Sequence, residues 1–254
     1  MNVDRDVVFM VREGRQYEEL RYALRSLANL PHGRVWVYGG RPNWLTGAAH
    51  VPARQGAVAH ANTARITAAI AGNRALSDEF YWFHDDMYLL APMDLVPRLH
   101  RCGWDEWVAG AAGRKGPHGP AKTAATDEAL RAFGITPEFS YELHVPMVVD
   151  RDAFRDMVLA VTAWRPEVLV HVQKRSLYGN WMGYGGERAA DPKFYQQSPP
   201  LDGPFASSTD TSLNAPAGRQ IRGMFPDPSP YERPSESVPD AVRLMVGHLA
   251  GGPR

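Results

Sequence analysis

Two adjacent carboxylates, Asp85 and Asp86, follow His84 at the point where the apolar run Phe80-Tyr81-Trp82-Phe83 stops. Such a stretch predicts a strand covered on both faces, which places the polar triplet just past its carboxyl end. In an open α/β sheet, side chains at that position project into the ligand crevice. Paired carboxylates are costly to desolvate without a cation, and a divalent ion carrying phosphate groups is a natural partner. An ordinary polar turn would have the same composition, because Asp favours turns for purely local hydrogen-bonding reasons.

Other residues have side chains suited to the same crevice. His144 lies in the run Phe139-Ser-Tyr-Glu-Leu-His-Val-Pro-Met-Val-Val149, where it can take a proton near neutral pH or serve as a hydrogen-bonded structural residue. Lys174 and Arg175 form a cationic step that suits phosphate, Arg through a bidentate fork, although a surface pair reads the same way. No second histidine stands four residues from His84 and no carboxylate cluster occurs elsewhere, so an ion shared with ligand phosphates is expected in place of a dedicated metal cage. The chain lacks a Gly-x-x-x-x-Gly-Lys-Ser/Thr loop, a Gly-x-Gly-x-x-Gly fingerprint and a Gly-x-Ser-x-Gly elbow.

The elements that must position these residues follow from periodicity. Asp6-Val-Val-Phe-Met-Val11 predicts a strand. Tyr17, Leu20, Leu24 and Leu27 then recur at helical spacing, with Arg21 and Arg25 off the apolar stripe. Arg34-Val-Trp-Val-Tyr38 is a second strand closed by Gly39-Gly40, and an Ala-rich helix over 61–76 leads into the strand that ends at Phe83. Alternation of this kind predicts a parallel, Rossmann-like half-sheet with its loops after Val11, Tyr38 and Phe83 on one edge. Residues 113–122 are rich in Gly and Pro and read as a loop. Helices are expected over 150–164 and 174–184, an irregular tail over 196–237, and a last amphipathic helix near 241–249.

The chain has 254 residues, zero formal net charge and one cysteine, Cys102. That length fits one large domain, and neutrality offers no global attraction to nucleic acid or anionic membrane. A single cysteine excludes an intramolecular disulfide framework and a cysteine-based zinc cluster. With no apolar run long enough to span a bilayer, the expected location is cytoplasmic.

Taken in order, these segments resemble the Stealth family of bacterial hexose-1-phosphate transferases in capsular polysaccharide synthesis. The family is related to the animal enzyme that transfers N-acetylglucosamine-1-phosphate to lysosomal glycoproteins. Its first block is similar to Asp6-Val7-Val8. The second is similar to Glu19-Leu-Arg-Tyr-Ala-Leu-Arg-Ser-Leu27, Val35-Trp-Val-Tyr38 with Pro42-Asn-Trp-Leu45, Asn62, and Leu76-Ser-Asp-Glu-Phe-Tyr-Trp-Phe-His-Asp-Asp-Met87. His144-Val-Pro146 with Arg151 and Lys174-Arg175-Ser176 resembles the third, and Phe225-Pro-Asp-Pro-Ser-Pro-Tyr-Glu232 the fourth. Departures are His84 where the family usually has Asn, Val11-Arg12-Glu13-Gly14-Arg15 in place of Trp-Val-Asp/Asn-Gly-Asp, and Ser208-Thr209-Asp210 in place of an Asn-Asp pair.

The resemblance implies an α/β, Rossmann-like, glycosyltransferase-A-like core with a mostly parallel sheet flanked by helices. It implies a single catalytic domain, with a nucleotide-binding half over 1–95 and an acceptor half over 138–254. The implied reaction moves a sugar-1-phosphate from a nucleoside-diphosphate sugar to a hydroxyl of polysaccharide, protein or modified nucleic acid. Asp85 and Asp86 are then expected to hold Mg²⁺ or Mn²⁺ or to place the acceptor. Arg175 would bind the diphosphate, His144 would act as base or phosphate contact, and Arg21, Arg25, Asn62 and Lys174 would serve the donor. A retaining glycosyltransferase releasing nucleoside diphosphate is the nearest alternative. A non-catalytic sugar- or nucleic-acid-binding module, resting on Arg114-Lys115-Gly116, is the alternative of another class.

Overall fold

The computed structural model describes residues 4–14, 17–114, 119–198, 200–209 and 211–233. The expected helix near 241–249, Asp210, and the Lys115-Gly116 part of the basic loop lie outside the described residues. In chain order the elements are β1 (Asp6–Val11), α1 (Glu18–Ser26), β2 (Val35–Gly39), β3 (Ala49–Val51), α2 (Ala59–Gly72), β4 (Glu79–His84) and β5 (Met87–Leu89). Next come β6 (Leu99–His100), β7 (Cys102–Gly103), α3 (Trp104–Ala109), α4 (Pro120–Ala132), β8 (Phe139–Ser140), β9 (Met147–Asp150), α5 (Arg151–Trp164) and α6 (Val168–His171). The last are α7 (Lys174–Trp181), β10 (Glu187–Arg188), β11 (Phe205–Ser207) and α8 (Pro216–Met224).

Every residue of β1 is buried, as the continuous apolar run requires of a strand covered on both faces. It sits mid-sheet in the order β3-β2-β1-β4-β9, with β1 to β4 parallel and β9 antiparallel to β4. Successive side chains alternate between faces. Val7, Phe9 and Val11 pack with Leu20 and Leu24 of α1 and Ile221 of α8. Val8 and Met10 pack on the other face with Trp82 of β4, Ile66 and Ile70 of α2, and Phe154 of α5. The molecule is thus α/β, with a mostly parallel sheet flanked by helices. Burying one such large side chain contributes about 1.5–3 kcal/mol.

From β1 the chain runs outward through β2 and β3, then returns to place β4 on the other side of β1. The order therefore reverses between β1 and β4, which leaves a crevice beyond their carboxyl ends, where Met10 lies beside His84. At the opposite end, buried Asp6 accepts hydrogen bonds from the Arg34 amide (2.9 Å), the Trp36 indole (2.8 Å) and the Ser77 amide (3.2 Å). That carboxylate ties the starts of β1, β2 and β4 together far from the crevice.

Several boundaries differ from expectation. The Ala-rich helix runs over Ala59–Gly72, and the 174–184 helix stops at Trp181. Residues 120–122, expected in a loop, form the first turn of α4. Pro120 at N1 supplies a backbone angle already suited to a helix start. Pro216 starts α8 in the same way, inside the stretch expected to be irregular. His144 lies in a bend between β8 and β9, because Pro146 has no amide to donate to a ladder. Strand β3 was unannounced, being three half-buried residues at the sheet edge. Because β9 comes from the expected acceptor half, the two halves share one sheet.

Candidate functional site

Beyond the carboxyl ends of β1 and β4 lie two adjoining cavities, which share Ala59, Thr63 and His84. The larger, about 310 Å³, includes Trp82, His60, Lys122, Glu142, His144, Lys174 and Arg175 in its wall. The smaller, about 150 Å³, is lined by Met10, Val11, Arg12, Gln55, Asn62 and Asp85. His84, His144, Lys174 and Arg175, distant in sequence, line the larger cavity, whereas Asp85 lies on the wall of the smaller one and Asp86 on neither.

The turn after β4 sends its three polar side chains in different directions. His84 faces both cavities, and burial lowers its imidazole far below the usual value, so it is neutral there. Asp85 faces the smaller cavity. Burial, with Asp86 and Glu19 nearby, pushes its carboxyl up to about 8. Asp86 turns away to Lys193, 3.0 Å from Oδ2, while its Oδ1 is buried with no partner among the described residues. Desolvation opposes ionisation of Asp86, but Lys193 outweighs it and holds the carboxyl below its ordinary range.

The expectation of a carboxylate pair on one metal is thereby corrected. One member is committed to a lysine, and no group of three or more His, Cys, Asp or Glu able to hold an ion occurs among the described residues. Of the pair, Asp85 is the member on a cavity wall, that of the smaller cavity. A single carboxylate fits a divalent ion that takes its remaining ligands from phosphate and water.

His144 is held by a residue the sequence reading missed. Both carboxylate oxygens of Asp191 lie 3.0 Å from His144 Nδ1, and the His144 amide donates to Oδ1 at 3.0 Å. Arg101 donates to Asp191 at 2.8 Å. Desolvation would raise the Asp191 carboxyl, but these contacts bring it down to about 2, so it is an anion. A neutral His144 that donates its Nδ1 hydrogen to this anion has its lone pair on Nε2. Asp191 sits alone between Ala190 and Pro192, and nothing in its sequence surroundings marks it.

Arg175 is buried at the start of α7. It donates to the carbonyls of Tyr141 through Nε (3.2 Å) and Val145 through Nη2 (2.6 Å), which leaves Nη1 without a partner among the described residues. A buried donor in that condition costs about 1–3 kcal/mol, more when charged, and an anion in the cavity would recover it. Helix α7 comes close enough for these contacts because residue 179 is Gly, where a Cβ would strike the Tyr141 ring. Asn180 fastens the same helix, accepting from the amides of Glu138 (2.7 Å) and Phe139 (3.2 Å).

The remaining candidates divide. Asn62 is on the wall of the smaller cavity, but its amide is used to shape the loop, accepting from Gly56 N and donating to Gly56 O, each at 2.8 Å. Arg21 and Arg25 are outside both cavities and their expected donor role is corrected. Arg25 binds both oxygens of Glu232 (2.7 and 2.8 Å) and the carbonyls of Phe225 and Pro226. Arg21 lies 3.4 Å from Glu232 and over the Trp44 ring. Two sequence blocks that resemble family motifs thus interlock as structure: Arg25 with Glu232, and Trp44 O with Arg233 N at 2.8 Å. Arg151 is likewise structural, donating to Leu76 O at 2.8 Å.

No family model matches the chain, and no curated protein matches it in sequence. Among solved structures it is similar to the galactosyltransferase LgtC in complex with donor and acceptor sugar analogs, at 11% identity and a TM-score of 0.49, over 94% of this chain and 99% of that one. An active-site mutant of LgtC aligns over the same shares at 12% identity and a TM-score of 0.39. The glycosyltransferase GlyE of Streptococcus pneumoniae TIGR4 aligns at 11% identity and a TM-score of 0.35, over 75% of this chain and 46% of that one.

Proposed function

We propose that the protein is a nucleotide-sugar-dependent transferase that moves a sugar-1-phosphate onto an acceptor hydroxyl. The observation that carries the reading is the Arg175 guanidinium, buried, with Nη1 unpartnered among the described residues, in a cavity that also holds Lys122, Lys174 and His144. A cavity with this wall suits a diphosphate, and the smaller cavity at the β1/β4 switch point suits the nucleoside. The resemblance of the sequence blocks to the Stealth family supports phosphoryl over glycosyl transfer.

In this mechanism Arg175 holds the diphosphate through Nη1, and the low-dielectric cavity strengthens that contact. The acceptor oxygen attacks the sugar-proximal phosphorus, its proton passes to Nε2 of His144, and the phosphorus–oxygen bond to the departing nucleoside monophosphate breaks. The anomeric carbon–oxygen bond is untouched, so the sugar keeps its configuration. Asp191 keeps His144 in the tautomer that accepts this proton. A divalent ion, Mg²⁺ or Mn²⁺, held at Asp85 would neutralise diphosphate charge.

Identification of the released nucleotide by mass spectrometry, over a panel of nucleotide sugars, tests the proposal. Nucleoside monophosphate is the expected product. Nucleoside diphosphate would instead assign a glycosyltransferase, and thermal stabilisation by no nucleotide sugar would remove both readings.

A further inference from the structure

The cations of the larger cavity form two groups. Lys174 and Arg175 are adjacent at the start of α7, and adjacent helical residues project about 100° apart. Asp191 and Glu142 are the charges near Arg175, and Lys122 with the same Glu142 those near Lys174. His60 of α2 belongs with the lysines, its imidazole lowered by burial and then by Lys122 and Lys174. His84 belongs with the other group, among Asp86, Arg175, His144 and Lys193. One end of the cavity is therefore the reaction centre, with Arg175, His84 and His144. The other end is made by α2, α4 and α7 and carries two lysines.

The lysine end is built as a site. Lys122 of α4 is fixed by a hydrogen bond from Nζ to Val170 O at 2.6 Å. Lys174 is 9% exposed, and its ammonium makes no hydrogen bond or ion pair with any described residue. The nearby carboxylate, Glu142, is engaged on the α7 backbone and side chain, accepting from Ser176 N (3.2 Å) and Ser176 Oγ (3.0 Å). Lys122 and Lys174 share the wall of the larger cavity, and burial together with Lys122 pulls the Lys174 ammonium down to about 8 against the attraction of Glu142. Such an arrangement is stabilised by an anion between the two lysines.

We propose that Lys174 and Lys122 form a second anion subsite, which reads a carboxylate or phosphate ester on the transferred sugar. The donor class would then be a nucleotide sugar whose sugar is itself acidic, a uronate or a sugar phosphate. This rests on the transferase reading above, with the diphosphate at Arg175.

Calorimetric titration of the full chain with matched donors tests it: UDP-glucose against UDP-glucuronate, and GDP-mannose against GDP-mannuronate. At least one acidic member should bind tenfold or more tightly than its neutral partner. In Lys174→Gln the acidic member should lose at least tenfold more affinity than the neutral one, and Lys174→Arg should restore the preference. Far-ultraviolet circular dichroism and thermal melting establish that both variants are folded. Equal binding of acidic and neutral members by the wild type overturns the subsite. So does a Lys174→Gln variant that weakens both equally, which would make Lys174 a diphosphate contact and leave the transferase reading standing. Loss confined to a free uronate or sugar phosphate offered as acceptor also overturns it. Binding of no nucleotide sugar by the wild type removes the transferase reading together with the subsite.

Discussion

Two pairs of basic residues look interchangeable in the sequence, Arg21 with Arg25 on α1 and Lys174 with Arg175 on α7. Their surroundings are opposite. Arg25 meets both oxygens of Glu232 and two carbonyls, so most of its hydrogen-bonding capacity is met by a segment 200 to 207 residues away. Among the described residues Arg175 donates to two carbonyls and no carboxylate, and no hydrogen bond of the Lys174 ammonium is found. Both helices present cations, but only one pair is left with capacity for a ligand. Whether a cation is structural or functional is decided by what the rest of the chain brings to it.

The sharpest way to break this contrast is the same substitution at both places. Arg175→Met should lose transfer by about 10²–10³-fold, as expected for removal of one preorganised donor to developing charge. Arg25→Met should leave turnover within a few-fold but destabilise the fold by about 1.5–3 kcal/mol, since it leaves the buried Glu232 with only Arg21 and Ser229. Steady-state kinetics with nucleotide sugar, alongside denaturant unfolding, separates the two. Equal loss of activity in both would end the distinction.

Asp191→Asn tests the reaction-centre end more gently. The change keeps the shape but removes the anion that orders His144, and a general base so disabled costs about 10²-fold or more in kcat. KM for the donor should stay nearly constant, because Asp191 is placed to touch the base and not the diphosphate. A parallel rise in KM would make it a binding residue.

The smallest effect is expected at Asp85, on stability. Between the ordinary carboxyl value of 3.8 and about 8, Asp85 is protonated in the folded chain and ionised in the unfolded one. The unfolded state therefore binds fewer protons, and stability falls as pH rises across that window. Asp85→Asn removes this contribution. It should melt higher than wild type near pH 8, by about 2–4 °C for each kcal/mol recovered, and no higher below pH 4. A melting difference independent of pH would contradict the raised carboxyl.

The sheet was legible because its strands are buried on both faces, and a run such as Val7-Val8-Phe9-Met10-Val11 has few other uses. Of the cavity residues, 84–85 were legible from the end of the apolar run at Phe83, whereas 144 and 174–175 were tied to them through the resemblance of sequence blocks. Helix α8 was not, since its nine residues bury only Ala217, Gly218 and Ile221 and begin with a proline. Asp191 was invisible because its function depends on a partner 47 residues away, not on its neighbours. The splitting of Asp85 from Asp86 was equally hidden, for it depends on Lys193 arriving from a later segment. No local pattern records a contact of that kind.

The absent side chain at position 179 carries a practical consequence. Because any larger residue would press α7 away from Tyr141, it would move the guanidinium of Arg175 without touching a ligand. Loss-of-function screens of this chain should therefore mark Gly179 as strongly as the reaction centre, and a map of intolerant positions would mistake a spacer for a reagent. Melting each hit before assigning it a chemical part would not by itself resolve the two, since a displaced helix can stay folded. Adding a space-making Tyr141→Ala change to Gly179→Ala, and asking whether activity returns, would.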